Sequence, residues 1–229
     1  MENLMRRRQF MPALLATAGL ACTAASAAGV GEAEAGSGVR GMLERAAIAA
    51  VGTLGHSDGF LGNPKVRIPL PPPLEEAAKL LKATGQQKRV DELVTAMNRA
   101  AEAAMPLARD LLVKTVKAIS ISDAIQIVRG GERAATDFFI RKTRAPLSEQ
   151  FLPIVTEATE KVALAAKFNA VAGQAGKLGL IKGDDANIER YVTAKALDGL
   201  YLMIAEEERN IRRDPVATGS AILRKVFGG

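Results

Sequence analysis

Residues 90–104 read Val90-Asp91-Glu92-Leu93-Val94-Thr95-Ala96-Met97-Asn98-Arg99-Ala100-Ala101-Glu102-Ala103-Ala104. Val90, Leu93, Val94, Met97, Ala101 and Ala104 recur at the i, i+3, i+4, i+7 spacing of one buried helical stripe. Pro106 interrupts the pattern, which resumes with Ala108, Leu111, Leu112, Thr115, Val116 and Ile119. A kink is expected there, or a break with Pro106 in a new first turn.

The same period extends both ways. Val39 to Leu54 reads as a helix carrying Met42, Leu43, Ala46, Ile48, Ala50 and Val51. Gly55 to Phe60 breaks it, and Asn63-Pro64 marks a turn. Val66 to Pro73 is extended. Its prolines exclude a central strand, so it is expected to cross helices with Val66, Ile68 and Leu70 inward. A second helix runs from Leu74 to before Gly85. Beyond the opening stretch, Ser122 is expected to cap a helix over Asp123 to Arg129, ended by Gly130-Gly131. Glu132 to Thr143 makes the next helix. Pro146 opens another to about Ala172, with Phe151, Ile154, Val155, Ala158, Val162 and Phe168 inward. Gly173, Gly176, Gly179 and Gly183 mark a looser stretch. Ala186 to Arg213 is apolar nearly all round in its middle, as a central buried helix is. Ala217 to Phe227 is a short terminal amphipathic helix. The fold class expected is all-α, an irregular single-domain bundle of about eight helices with an extended Pro-rich segment near 64–73.

Composition agrees. The 229 residues are 48% hydrophobic but contain no Trp, two Tyr and seven Phe, so Ala, Leu, Ile and Val must do most of the packing. Small side chains favour close helix-on-helix layers. Residues 1–27 read as a secretory signal: Arg6-Arg7-Arg8, an apolar Phe10 to Ala21 too short to be a membrane span, and Ala25-Ser26-Ala27 for cleavage. Arg7-Arg8-Gln9-Phe10-Met11 also resembles a twin-arginine signal, although Pro12 stands where Lys is frequent. Residues 28–38 read as a flexible tether and residues 39–229 as one helical domain. Cys22 is the sole cysteine. A lipid anchor there is disfavoured because Gly19 stands where a lipobox prefers Leu. Cleavage after Ala27 leaves no disulfide, and stability must come from core burial. Of the +6 formal charge, two units sit in the leader. No basic run survives beyond it, so a nucleic-acid groove with stacking aromatics is not expected.

Few residues carry chemical vocabulary. His56 is the only histidine and sits in a polar turn. With no mature cysteine it cannot complete a zinc set. Asp184, Asp185 and Asn187 lack EF-hand spacing and read as helix N-terminal acids. No phosphate loop or dinucleotide fingerprint appears, and no cofactor or metal is expected. Asp58-Gly59 reads as turn chemistry with Phe60 pinning the loop. The suggestive set is polar residues beside apolar stripes: Asn98, Arg99 and Glu102, then Tyr191 and Lys195, then Glu208 and Arg212. The pairs Asn98/Glu102, Tyr191/Lys195 and Glu208/Arg212 are each four apart and share a helical face. Buried ionisable groups cost several kcal/mol each unless compensated. One reading is an internal network, for instance Arg212 with Glu102 or Lys195 with a carboxylate. The other is a polar pocket receiving a small ligand.

The order of several short stretches resembles an uncharacterised exported bacterial family, the domain of unknown function DUF4197. The stretches are Asp58-Gly59-Phe60, Ile68-Pro69-Leu70-Pro71, Met97 to Glu102, Asp123-Ala124 through Gly130, Ala134-Ala135-Thr136, Tyr191-Val192, Lys195-Ala196-Leu197 and Glu208 to Arg212. The resemblance implies an all-helical, envelope-localised protein of a Gram-negative bacterium and implies no activity. Three roles follow as expectations. The first is a non-catalytic periplasmic protein that binds an envelope partner or scaffolds. The second is a carrier of a small amphipathic ligand between helices. The third is an enzyme working through Glu102, Tyr191 and Lys195.

Overall fold

The computed structural model describes residues 32–163, 165–169, 187–217 and 224. Six helices have defined bounds: α1 Glu32–Leu54, α2 Pro72–Ala83, α3 Gln87–Lys117, α4 Ile121–Arg129, α5 Ala134–Glu160 and α6 Ile188–Arg213. Among the described residues there is no strand, and the all-α expectation holds. α1, α3, α5 and α6 form the body. α3 and α6 touch, α1 packs against both, and so does α5. α4 bridges α1 and α5, and α2 lies on α3. One apolar cluster joins them, with Phe60, Phe139, Phe151, Met42, Met97 and Leu112 among its fully buried side chains.

Helix ends follow local chemistry. Pro72 opens α2, where a missing N–H costs nothing. Gly85, at φ +78°, closes it. The Gln86 N–H reaches the Leu81 carbonyl at 2.8 Å and the Gly85 N–H reaches Lys82 at 3.1 Å, which is a Schellman closure. Asn187 caps α6 by accepting from the Arg190 N–H.

Several boundaries differ from the sequence reading. The stretch expected as a tether is helical from Glu32 onward. Val39, Met42 and Leu43 are fully buried, and this anchored turn lets Glu32 to Gly38 extend the helix despite their two glycines. α3 runs unbroken through Pro106, and α5 through Pro146 and Pro153. A proline loses one helical hydrogen bond, but Met105, Ala108, Leu112 and Leu147, Phe151, Val155 bury the flanking turns and hold each helix together. The cap of α4 is Ser120, not Ser122. Ser120 Oγ accepts from the Asp123 N–H, and the Asp123 carboxylate accepts from the Ser120 N–H. That reciprocal pair is a capping box, and it starts the helix two residues earlier. The glycines from 173 to 183, Asp184, Asp185 and most of the expected terminal helix lie outside the described residues.

Residues 55–71 form a strap between α1 and α2 that crosses α3 and α6. Its polar attachments create the first of two sites.

Candidate functional site

The strap is fastened by three polar residues beside the α3 stripe, Asn98, Arg99 and Glu102. Asn98, fully buried, accepts from the Ile68 N–H at 2.8 Å and donates to the Ile68 carbonyl at 3.0 Å. It serves this extended residue as a neighbouring strand would, and its second N–H returns to Val94 at 2.8 Å. One turn on, Glu102 Oε1 accepts from the N–H groups of Phe60 and Leu61 at 3.0 and 3.1 Å. Its Oε2 meets Arg99 Nη1 at 2.6 Å, and Arg99 Nη2 reaches Asp58 at 2.9 Å. The Arg99 guanidinium is held further above its ordinary value. The hydrogen bond to Glu102 is the main cause, burial opposes it, and attraction to Glu102 and Asp58 adds.

The turn at 58–60 divides its duties. Asp58 carries the left-handed backbone, at φ +66°. Gly59 answers a steric demand instead: a Cβ there would lie 2.5 Å from the Leu54 carbonyl oxygen at the end of α1. Phe60 is fully buried, and its ring lies against Gly199 of α6. A Cβ on Gly199 would sit 2.8 Å from the Phe60 ring and 3.3 Å from Val66. The far end of the strap meets α6 at Tyr191, whose hydroxyl donates to the Leu70 carbonyl at 3.4 Å.

The second site lies where α4 ends and α5 begins. Glu208 of α6 is 1% exposed. Four donors converge on it: the N–H groups of Ala135 and Thr136 at 3.0 and 2.8 Å, the Thr136 hydroxyl at 2.8 Å, and Arg212 Nε at 3.0 Å. Arg212 Nη2 also donates to the Ile127 carbonyl in the last turn of α4, at 2.9 Å. One ion pair thus supplies a cap to the first N–H groups of α5 and a partner to the last carbonyls of α4.

These positions revise the sequence reading of the network. Arg212 pairs with Glu208, not Glu102, because Arg99 occupies Glu102 from its own helix. Lys195 is not buried. Its side chain is 44% exposed, with Nζ 3.9 Å from Asp198 and 5.8 Å from the centre of the Tyr191 ring. Tyr191 and Lys195 are therefore neighbours, but Tyr191 lies at the Leu70 end of the strap and Glu102 at the Phe60 end. His56 is exposed beside Ser57. Among the described residues no three His, Cys, Asp or Glu gather as a metal site, and no helix is long and apolar enough to cross a membrane.

Three polar contacts had no reading in the sequence. Glu189, in the first turn of α6, takes both Nδ2 bonds of Asn169 at 2.9 Å, and Asn169 Oδ1 accepts from the Ile188 N–H. Tyr201 shares a buried 2.8 Å hydrogen bond with Thr143. Burial pushes its phenol above the ordinary value of 10, partly opposed by that bond. Asp123 is held below the carboxylate range, first by the Ser120 hydroxyl. Of these only Ser120-x-x-Asp123 announces itself, by its capping spacing.

Fold and sites together define an all-helical protein whose buried polar groups clamp distant backbone segments. Residues 29–228 match the family described as protein of unknown function, DUF4197, and the chain belongs to that family. No curated protein and no solved structure matches it. Six of the eight stretches that carry the resemblance meet at these two places. Asp58–Phe60, Ile68–Pro71 and Met97–Glu102 form the strap attachment; Asp123–Gly130, Ala134–Thr136 and Glu208–Arg212 form the α4–α5 corner.

Proposed function

We propose that this chain is a non-catalytic protein of the Gram-negative cell envelope, periplasmic in location, which binds a partner or scaffolds an assembly. One observation carries the reading. Asn98, Glu102 and Glu208, the buried polar groups that looked most like chemistry, are each bonded to the main chain of a remote segment. Acid–base or nucleophilic work needs a group within hydrogen-bond reach of a substrate atom. A carboxylate already facing two backbone N–H groups and an arginine is committed to holding the fold. The location rests on the basic, apolar and small-residue segments of positions 1–27.

The test is to express the full chain in a Gram-negative host, fractionate it, and weigh the periplasmic product by denaturing and then native mass spectrometry. The expected product begins at Ala28, without Cys22, and its native mass corresponds to a defined protein assembly. An uncleaved cytoplasmic chain, or one acylated on Cys22, contradicts the location. A bare monomer, or a monomer carrying a small molecule, contradicts the role.

A further inference from the structure

The α4–α5 corner frames a surface cleft of about 570 Å³. Asp123, Gln126 and Ile127 of α4 form one wall; Ala134, Asp137, Phe138 and Arg141 of α5 form the other. The Gly131–Arg133 turn closes one end. The Glu208–Arg212 pair lies beneath it and fixes both walls, through Ile127 on one side and the first N–H groups of α5 on the other. Such support from below is how a recognition surface is kept in shape. Gly131 faces open space, and no steric demand of the fold explains its missing side chain. That absence leaves the backbone approachable from the cleft.

Arg133, Asp137 and Arg141 follow each other at four-residue steps. Arg133 holds the N-cap position and Asp137 and Arg141 follow on α5, which sets out cation, anion and cation over about 12 Å. All three are exposed. Spacing of i, i+4 would let neighbours pair. Among the described residues, however, no side-chain hydrogen bond or ion pair of these three is formed. The other cleft charges are engaged: Glu132 with Arg209 at 3.6 Å, and Asp123 with Ser120; Asp123 is also attracted, without an ion pair, by Arg141 and Lys142.

We infer that this stripe is a docking surface for a helical segment of a partner protein bearing the complementary order, acid, base, acid, at four-residue steps. Charge complementarity selects this occupant. A compact polyanion or a flat anionic membrane would meet Asp137 between the two arginines and be repelled there. A second helix repeats its charges at the same interval and satisfies all three. The inference rests on the partner-binding reading above.

The probes are two fluorescein-labelled, alanine-based helical peptides of equal composition outside the stripe. One carries Glu, Lys, Glu at four-residue steps and the other Lys, Glu, Lys. Fluorescence anisotropy at low salt should show about tenfold tighter binding of the first, since each exposed pair contributes up to about fivefold. The variant Arg133→Glu/Asp137→Lys/Arg141→Glu changes only exposed side chains, and its melting curve verifies the fold. It should invert the preference. A preference below about twofold, or one the variant leaves unchanged, overturns the inference. If neither peptide binds while the periplasmic protein still carries a protein partner, the stripe is wrong and the partner-binding reading survives. If the preference inverts but the periplasmic protein is a bare monomer, the stripe stands and the wider reading fails.

Discussion

Glu102 on α3 and Glu208 on α6 do one job in two settings. Each carboxylate takes two consecutive backbone N–H groups from a segment far away in sequence, and each is closed by an arginine of its own helix. The difference lies in the arginine. Arg99 is 40% exposed and has Asp58 as a second anion, whereas Arg212 is 15% exposed and ends on a helix carbonyl. The strap clamp can exchange its cation for water. The corner clamp cannot. Similar hydrogen-bond lists therefore carry unequal energies, and burial of the counter-ion sets the order.

Replacing each carboxylate by its amide gives the largest effect and separates the two clamps. In Glu208→Gln the new NH₂ must face at least one of four donors, and the charge of Glu208 beside Arg212 is lost. A loss of about 3–5 kcal/mol is expected in urea unfolding. Glu102→Gln can keep its oxygen toward Phe60 and Leu61 while Arg99 turns to Asp58 and solvent, so about 1–3 kcal/mol is expected. Equal losses would remove the distinction.

The glycines sharpen the comparison on the strap side. Gly199→Ala drives a methyl into the Phe60 ring, which is fully buried. Overpacking of about 1–3 kcal/mol is expected, measured as a lower thermal midpoint with Phe60 displaced. Tyr201 offers a pH-resolved contrast. Its phenol is raised by burial above the ordinary value of 10. The folded chain keeps the proton after the unfolded chain has lost it, so the contribution is complete below about pH 10 and declines as pH rises toward the folded value. Tyr201→Phe should cost about 1 kcal/mol at neutral pH, and its difference from the parent should shrink above that point. A constant difference would contradict the assignment. The smallest effect has the opposite sign. Gly41, inside α1, has nothing near its Cβ position, so Gly41→Ala should stabilise by about 0.5–1 kcal/mol in the same unfolding assay.

What the sequence revealed follows the range of each interaction. The stripe Val90, Leu93, Met97, Ala101, Ala104 is set by a local period, and it marks the buried face of α3 directly. Phe60 as an anchor was legible because an aromatic beside Asp-Gly has few other uses. Glu102 and Glu208 stood out as polar groups beside apolar stripes, but their partners lie 41–42 and 72–73 residues away. Those partners are backbone N–H groups, which carry no residue signature. The guess that Arg212 meets Glu102 failed for that reason. Pro146 misled in the other direction: a proline weakens a helix locally, and core packing on both sides outweighs it.

Two carboxylates, Glu102 and Glu208, hold remote backbone as part of the cooperative fold. Native-state hydrogen exchange by NMR on the amides of Phe60, Leu61, Ala135 and Thr136 tests it most directly. All four should exchange only through global unfolding, as slowly as the core amides of α3. In Glu102→Gln the first two, and in Glu208→Gln the last two, should gain a faster local route. Rapid exchange of these amides in the unaltered protein, at the rate of exposed loop positions, would contradict the account.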